Sequence, residues 1–310
     1  MSSHSRERSR SYRLKRKESP TKGIRRIALA RAEKAVEELG EAGEGEGSAD
    51  SVHAVRKDLK KLRGVVRLVR TEIGDDLYRA ANRRYRDAGR LLSESRDAEV
   101  KVATLGDLRE RCGEELPAEL VAAWLAALER ERDEVAAPGP GDDGRSPGAE
   151  ARATIEGGQE EIAGWPLRHD SWRLVEPGLL RSYRRGRRAM KRARTEPVAD
   201  NVHEWRKRAK DLWYQLRILR DAWRPVLGET ADQAHELADL LGDHHDLAVL
   251  ADDLRDRGLA GDRDGVKEAI AQRQEQLLEA AFAIGERLFA EKPKAFGKRL
   301  EAYWLIWRPG

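Results

Sequence analysis

The chain has 310 residues, enough for one large domain or for two of about 150 residues. Its 60 Lys and Arg residues against 56 Asp and Glu residues give a formal net charge of only +4, so a strong local field requires an uneven distribution of charge. The single cysteine, Cys112, excludes an intramolecular disulfide and lies outside any zinc-like Cys/His spacing, which predicts a reducing, cytoplasmic location and no structural metal.

The N-terminal segment is rich in Ser, Arg and Lys and lacks the apolar stretch of a signal peptide. Because it has few apolar anchors, residues 1–20 are predicted to form a mobile basic arm. No later segment reaches the roughly 18 consecutive apolar residues that cross a bilayer, so we expect no association with a membrane.

Helical patterns dominate residues 21–135, which we predict to form a first helical bundle. Apolar residues recur there at three- and four-residue spacing, and Gly-rich or acidic breaks separate the segments. No segment shows the alternation of a half-buried strand. The predicted helices are Ile24–Leu39, Asp50–Arg70, Asp75–Leu92, Asp97–Arg111 and Pro117–Val135.

A linker and a connecting helix are predicted over residues 136–165, because Pro, Gly and Asp replace apolar residues between Ala136 and Ala149. Residues 166–310 are predicted to form a second bundle, with helices at 171–195, 200–223, 229–256 and 262–290 and a docking segment at Tyr303–Trp307. The expected fold class is all-α, with two pseudo-symmetric four-helix bundles built by internal duplication.

The most informative motif occurs twice. The segment HAVRKDLKKL begins at His53, and HEWRKRAKDL begins 150 residues later at His203. His, Arg, Lys and Lys recur at positions i, i+3, i+4 and i+7, which lie on one face of a helix and apart from the apolar stripe. A polyanion is the natural partner of such a face. The cations on this face are Arg56, Lys57, Lys60, Arg63 and Arg67 in the first copy and Arg206, Lys207, Lys210 and Arg217 in the second.

A solvated helix face, balanced by acids at i+4, is the ordinary explanation of a single Lys/Arg stripe. Here acids are mostly missing from that face, and the repetition at matching positions favours polyanion binding. The two histidines keep a structural alternative, because His53 or His203 could cap a first helical turn or pair with a neighbouring Glu.

A second matched pair of segments spans Leu91–Val100 and Leu240–Val249, and in each a cation precedes an aspartate. Arg96 and His245 are predicted to add to the anion site, whereas Asp97 and Asp246 either cap a helix or orient a basic side chain. A metal bound by residues 244–246 is disfavoured, because consecutive residues on a helix point about 100° apart.

The first helix of each half adds more cations. Arg25 and Arg26 lie in the first half, and residues 181–194 of the second half hold eight Arg and Lys residues without an acid. Arg forks grip phosphate oxygens through parallel hydrogen bonds, so Arg181, Arg184, Arg185 and Arg188 are predicted to join the anion site. Base stacking by tryptophan is not predicted, because Trp124, Trp205 and Trp223 follow apolar periodicities typical of a core.

These residues together resemble the CHAD domain family, the conserved histidine α-helical domain. The family hallmark is His-x-x-Arg followed by a basic cluster, which His53-x-x-Arg56 and His203-x-x-Arg206 match. The segments Arg96-Asp97-Ala-Glu-Val100 and His245-Asp246-Leu-Ala-Val249 belong to the same resemblance, which extends over about residues 20–290.

The resemblance implies a basic central groove or pore that binds inorganic polyphosphate, and association with polyphosphate granules. Some relatives carry a CYTH triphosphate-processing domain, but its Glu-x-Glu-x-Lys motif and a P-loop are both missing here, so neither catalysis nor a cofactor is expected. General binding of RNA or DNA is the alternative, although no recognised nucleic-acid motif is present. The oligomeric state is left open.

The predicted polyphosphate-binding residues are Arg25, Arg26, His53, Arg56, Lys57, Lys60, Lys61, Arg63, Arg96, Arg181, Arg184, Arg185, Arg188, His203, Arg206, Lys207, Lys210 and His245.

Overall fold

The computed structural model describes residues 10–41, 49–92, 94–113, 115–136 and 146–308, and within these ranges it contains helices and no strand, which confirms the all-α class. None of the helices in these ranges is long and apolar enough to cross a membrane. The helices are α1 (Pro20–Glu41), α2 (Ala49–Leu68), α3 (Arg70–Arg90), α4 (Glu94–Cys112), α5 (Ala118–Ala136), α6 (Pro147–Glu156), α7 (Gln159–Ala163), α8 (Glu176–Thr195), α9 (Ala199–Leu219), α10 (Arg224–Asp256), α11 (Arg263–Leu288) and α12 (Pro293–Trp307).

Local chemistry sets the helix ends that differ most from the predicted ones. Helix α10 begins at Arg224 and not at residue 229, because Pro225 fits the first helical turn, where its missing N–H costs nothing. Helix α8 begins at Glu176 and not at residue 171, because Trp172–Leu174 form a separate 3₁₀ turn.

Residues 10–19 are packed against the protein, which corrects the prediction of a mobile arm for this part of the chain. Tyr12 and Leu14 are buried. The Tyr12 hydroxyl donates to the carbonyl of Lys61, and the backbone N–H of Leu14 donates to the carbonyl of Ile218, both at 2.9 Å. Two apolar side chains within the basic run therefore help to anchor it. The rest of the predicted arm, residues 1–9, lies outside the described residues.

The larger hydrophobic core joins helices from both halves of the sequence. Helix α2 packs against α1 and α3, α6 packs against α1 and α3, and α7 packs against α1. Helix α9 packs between α8 and α10. Helix α2 contacts both α8 and α9, so one cluster of buried residues extends from Ile24 to Trp304. The core is continuous where the sequence suggested a boundary, and the division into two separate bundles stays a prediction.

A smaller second core lies toward the C-terminal end of α10. Helix α4 packs on α10 and α11, and α5 packs on α4. Leu105 and Trp124 belong to this cluster together with Leu250 and Leu254 of α10. Beside it, the carboxylate of Asp253 accepts a hydrogen bond from Trp124 Nε1 at 2.9 Å. Helices that precede the predicted linker thus pack on helices that follow it.

The two motif-bearing helices cross at matching positions of the repeat. Gly64 of α2 faces Tyr214 of α9, which lies 150 residues later. A Cβ atom on Gly64 would lie 2.9 Å from the Tyr214 Cβ, so the missing side chain allows the two backbones to approach closely. One helical turn further, Arg67 of α2 forms an ion pair with Asp211 of α9 at 3.3 Å. The repeated segments therefore contact each other directly.

Helix α12 closes the structure beside the first residues of the chain. Trp304 is buried with its ring centroid 5.7 Å from that of Trp172, whereas Leu305 and Ile306 are 58% and 79% exposed. Arg308 donates to the backbone carbonyl of Glu18 at 2.6 Å and to that of Lys15. The C-terminal segment is thus anchored through one face only.

The tryptophan predictions hold for two of three residues. Trp124 and Trp205 are fully buried, as predicted. Trp223 is half exposed, so its predicted core position is wrong. Helix α9 ends at Leu219, and the 3₁₀ turn that follows brings Trp223 against the ring of Tyr303, with the centroids 4.6 Å apart.

We predict that Gly178→Ala destabilises the fold by at least about 2 kcal/mol, because overpacking a rigid contact forces backbone shifts. A Cβ at this position would lie 1.9 Å from the Leu68 carbonyl oxygen, and a backbone atom cannot rotate away. Chemical denaturation measures the loss. Gly106→Ala in α4 is the matched control, since it meets nothing within 4 Å and is expected to be neutral or stabilising. Equal stability of the two variants would contradict the packing described for α8.

Candidate functional site

Two arginine–aspartate ion pairs occupy matching places in the two halves. The Nη2 of Arg56 on α2 lies 3.9 Å from the Asp97 Oδ1 of α4, and the Nη1 of Arg206 on α9 lies 3.6 Å from the Asp246 Oδ1 of α10. Asp246 lies well inside α10, where it caps no helix, and each carboxylate faces an arginine of another helix. Of the two roles considered for these aspartates, the structure supports the orientation of a basic side chain.

Two histidines stack between these helices. The ring centroids of His203 on α9 and His245 on α10 are 4.2 Å apart, and the ring planes are inclined by 37°. The Nδ1 atoms of both rings are buried without a hydrogen-bond partner among the described residues, and so is the Nε of the neighbouring Arg206. Such atoms are rare in native structures, where most buried polar groups are paired. We call the following set the histidine–arginine cluster: Arg56, Asp97, His203, Arg206, His245 and Asp246.

The surroundings disfavour the charged form of both rings. The pKa of His203 is lowered to about 4, by burial first and then by the charges of His245 and the cations of α9. Burial and Arg206 also lower the pKa of His245, against the opposing charges of Asp246 and, from the other half of the chain, Asp97. The cluster therefore couples side chains from both halves electrostatically.

Lys210 lies beside the same cluster and is half buried. Within the described part of the chain no hydrogen bond or ion pair holds its amine. Burial and Arg206 lower its pKa to about 8, while Asp239, Asp246 and Asp243 oppose the shift. An anion that approached this amine would therefore stabilise its protonated form.

A row of arginines lines an open cavity on α8, of about 440 Å³. We call the row the arginine face; it consists of Arg181, Arg184, Arg185, Arg188 and Arg192. Arg192 is not among the predicted residues, although it continues the helical spacing of the others. Among the described residues the one acid in the wall of this cavity is Glu204 of α9, which pairs with Arg185 at 3.3 Å and with Lys207 at 2.9 Å. Glu204 thus joins the arginine face to the basic helix α9.

A third group of cations lies along the crossing of α2 and α9. Asp211 pairs with Arg208 of its own helix at 2.6 Å and with Arg67 of α2 at 3.3 Å. Arg63 donates to the side-chain oxygen of Asn82 at 3.2 Å, and burial followed by the charge of Arg67 lowers its pKa to about 10. Arg67 and Arg208 were missing from the predicted site. Arg208 stands three residues before Asp211 in α9, as Asp58 stands three residues before Lys61 in α2. This spacing of opposite charges was the signal available in the sequence.

Lys61 lies in the core and not on the basic stripe, which removes it from the predicted binding residues. Its side chain is only 9% exposed, and its amine donates to the carboxylate of Asp58 at 2.6 Å. Asp58 also accepts from Arg31 of α1 at 3.1 Å, and burial lowers the pKa of Lys61. Lys61 directly follows Lys60 and therefore points about 100° away from it, off the stripe formed by Arg56 and Lys60.

Arg25 and Arg26 are also engaged within the fold. Arg25 donates to the carbonyl of Trp165 at 2.6 Å. Arg26 donates to Glu18 at 2.6 and 2.9 Å and to the carbonyls of Ser11 and Arg13 at 2.9 and 2.8 Å. The Arg26 contacts hold the N-terminal segment against α1, whereas the Arg25 contact holds α1 against the residues that follow α7. Both arginines thus have structural contacts, and their predicted role in binding stays a prediction.

The remaining predicted residues belong to α2 and α4. His53, Lys57 and Lys60 are exposed, so His53 and its sequence counterpart His203 occupy different environments. Arg96 lies in α4, but its side chain is outside the described part of the structure. No group of three or more His, Cys, Asp or Glu residues among those described is arranged to hold a metal ion.

The described residues form an all-helical fold in which the first half of the chain brings an arginine and an aspartate, and the second half two histidines, an arginine and an aspartate, to one cluster. The chain belongs to the CHAD domain family, whose model matches residues 28–255. CHAD domains form a polyphosphate-binding family and are generally non-catalytic. No curated protein sequence matches the chain.

The lowered pKa of His203 predicts a loss of stability in acid. An unfolded chain binds a proton at this histidine near pH 6.5, whereas the ligand-free folded protein resists doing so until about pH 4, so the free energy of unfolding falls as pH decreases between these values. Urea denaturation in ligand-free buffers at pH 7 and pH 5 measures the change. His203→Gln should show a smaller decrease than the unaltered protein, and parallel decreases would contradict the environment described for this ring.

Proposed function

We propose that the protein binds inorganic polyphosphate, without transforming it, in a basic groove formed by the histidine–arginine cluster and continued by the arginine face. The observation that carries the proposal is the arrangement of the cluster, in which Arg56 from the first half lies with Arg206 and the stacked rings of His203 and His245 from the second. The Nδ1 atoms of both rings and the Nε of Arg206 have no hydrogen-bond partner among the described residues. Phosphate oxygens would accept hydrogen bonds from protonated forms of these atoms. Family membership supports the same ligand.

The ion pairs of the cluster suit a displaceable contact. At 3.6 and 3.9 Å, the Arg206–Asp246 and Arg56–Asp97 pairs are longer than good charge-assisted hydrogen bonds. A phosphate oxygen can therefore bond to either guanidinium while the aspartate continues to orient it. Lys210 adds a cation whose amine has no hydrogen bond or ion pair with any described residue.

The arginine face extends the proposed groove along the outside of α8. Arg181, Arg184 and Arg188 are exposed there. Since Glu204 connects this row to Lys207 on α9, a phosphate chain that leaves the cluster meets further cations at once. Lys57, Lys60 and Arg63 of α2 belong to the proposed groove on the side of the first half.

The duplicated architecture forms part of the same proposal. The contact of Gly64 with Tyr214 and the paired Arg–Asp contacts support two related halves, arranged around a pseudo-twofold axis near the cluster. We further propose that polyphosphate binding in the cytoplasm brings the protein to polyphosphate granules. Binding of RNA or DNA is the alternative that the experiments below distinguish.

We predict that Arg56→Glu together with Arg206→Glu lowers the affinity for long-chain polyphosphate at least 100-fold, because two cations become repulsive anions where the two halves meet. Fluorescence anisotropy with labelled polyphosphate measures the affinity. If circular dichroism shows that the charge-reversed protein does not fold, Arg56→Gln with Arg206→Gln gives the same test with a smaller expected loss, at least tenfold.

The matched control is Arg132→Glu with Arg255→Glu, which changes the net charge equally. Both arginines are exposed and pair with nearby aspartates, Asp133 and Asp252 respectively. The control should bind within about threefold of the unaltered protein, since distant surface charges are screened by salt. Equal losses in the two double variants would show that total charge, and not this site, determines binding.

Competition tests the identity of the ligand. A shaped phosphate-chain site predicts that RNA and heparin of matched total charge displace labelled polyphosphate only at concentrations at least tenfold higher than unlabelled polyphosphate does. The affinity for polyphosphate should fall linearly with the logarithm of salt concentration, as counterion release requires. Displacement by all three polymers at equal concentration would instead support general polyanion or nucleic-acid binding.

A further inference from the structure

We propose that polyphosphate binding is coupled to the uptake of a proton by the stacked pair of His203 and His245, so that the affinity of the site rises as pH falls. This inference rests on the proposed function and concerns the regulation of the same site. It begins from the geometry of two adjacent imidazole rings whose buried Nδ1 atoms have no hydrogen-bond partner among the described residues.

When an anion is present, the stacked pair of His203 and His245 carries one proton in preference to none or two. With centroids 4.2 Å apart, two protonated rings would repel each other, whereas one protonated ring can rest on a neutral one. A protonated Nδ1 needs an acceptor, and none of the described residues supplies one at either ring. A phosphate oxygen at this place would accept that hydrogen bond and compensate the charge.

The charged groups around the stack set its state in the free protein. From α9, Arg206 and Lys207 oppose protonation and Glu204 favours it. From α10, Asp246 favours protonation of His245, and His244 lies next to it. From α4, Asp97 favours protonation, while Arg56 of α2 pairs with that carboxylate. Cations and burial prevail over the acids, because the pKa of both rings is lowered.

The direction of the coupling follows from this balance. The free protein keeps both rings neutral near pH 7, so a phosphate that stabilises the protonated pair must recruit a proton from solution. By linkage, the logarithm of the association constant then increases as pH decreases, by up to about tenfold in affinity per pH unit for one proton. The internal phosphates of a long chain are strong acids and stay ionised, so the ligand contributes little to this slope.

Titration calorimetry in pairs of buffers with different ionisation enthalpies tests the proposal on the full-length protein. At pH 6.5, binding of long-chain polyphosphate should be accompanied by the uptake of between about half a proton and one proton per site, obtained from the difference in apparent binding enthalpy between the buffers. Anisotropy measurements at pH 5.5 and pH 7.5 should show at least tenfold tighter binding at the lower pH.

The variants identify the histidines responsible. His203→Gln and His245→Gln remove one titrating ring each, and either should reduce the proton uptake at least twofold and bring the affinity ratio between the two pH values to about threefold or less. Because both residues belong to the proposed site, either substitution can weaken binding at every pH. The comparison between variants therefore uses only the dependence of affinity and proton uptake on pH. His235→Gln is the matched control, because His235 pairs with Asp239 on an exposed face of α10 and should keep the proton uptake of the unaltered protein.

The outcomes separate the two proposals. Tight polyphosphate binding without proton uptake, or with uptake that persists in both His203→Gln and His245→Gln, would overturn the proton coupling and leave the proposed function standing. Absence of polyphosphate binding at both pH values would overturn the proposed function and the coupling with it. If His203→Gln fails to fold, His245→Gln alone decides, because removal of either ring breaks the stack.

Discussion

Mutual repulsion between cationic helices is the constraint on which the rest of this structure depends. Helices α2 and α9 carry dense positive charge, and yet they cross with their backbones in close approach. Two almost completely buried carboxylates stabilise this arrangement. Asp58 forms ion pairs with Arg31 and Lys61, and Asp211 forms ion pairs with Arg208 and Arg67. Removal of either carboxylate would leave uncompensated charge in the core, which is among the costliest changes a protein can suffer.

At the site, carboxylates also neutralise the cations, but less completely. Deep in the fold the ion pairs of Asp58 and Asp211 are no longer than 3.3 Å, whereas at the histidine–arginine cluster they lengthen to 3.6 and 3.9 Å. Positive charge is therefore neutralised where the helices must pack and left incompletely neutralised where a ligand can reach it. Positive charge is neutralised least at the arginine face, because among the described residues a single carboxylate, that of Glu204, lines its cavity.

The sequence predicted the class of fold and the pairing of motifs because both depend on regular spacing. Helical periodicity located the helices, and the His-x-x-Arg repeat led to the family and to Arg56 and Arg206. The repeat could not reveal the burial of Lys61, because that burial depends on the packing of neighbouring helices and on the contact with Asp58. The stack of His203 on His245, the internal roles of Arg25 and Arg26, and the burial of Tyr12 all depend on tertiary contacts that no local pattern encodes.

The order of helices along the chain differs from their order in space. Helices α4 and α5 precede the segment predicted to link two bundles, but they complete the hydrophobic cluster of α10 and α11, while Arg308 and Leu14 fasten the chain ends to the other half. Helices and chain ends of each half thus pack on the other half, as the exchanged elements of a domain-swapped dimer do. A break between α5 and α6 would yield two fragments, neither with a complete core, that regain structure only by reassociating. The smallest independently folding unit of this protein is consequently expected to be the interlocked pair of halves and not either half alone.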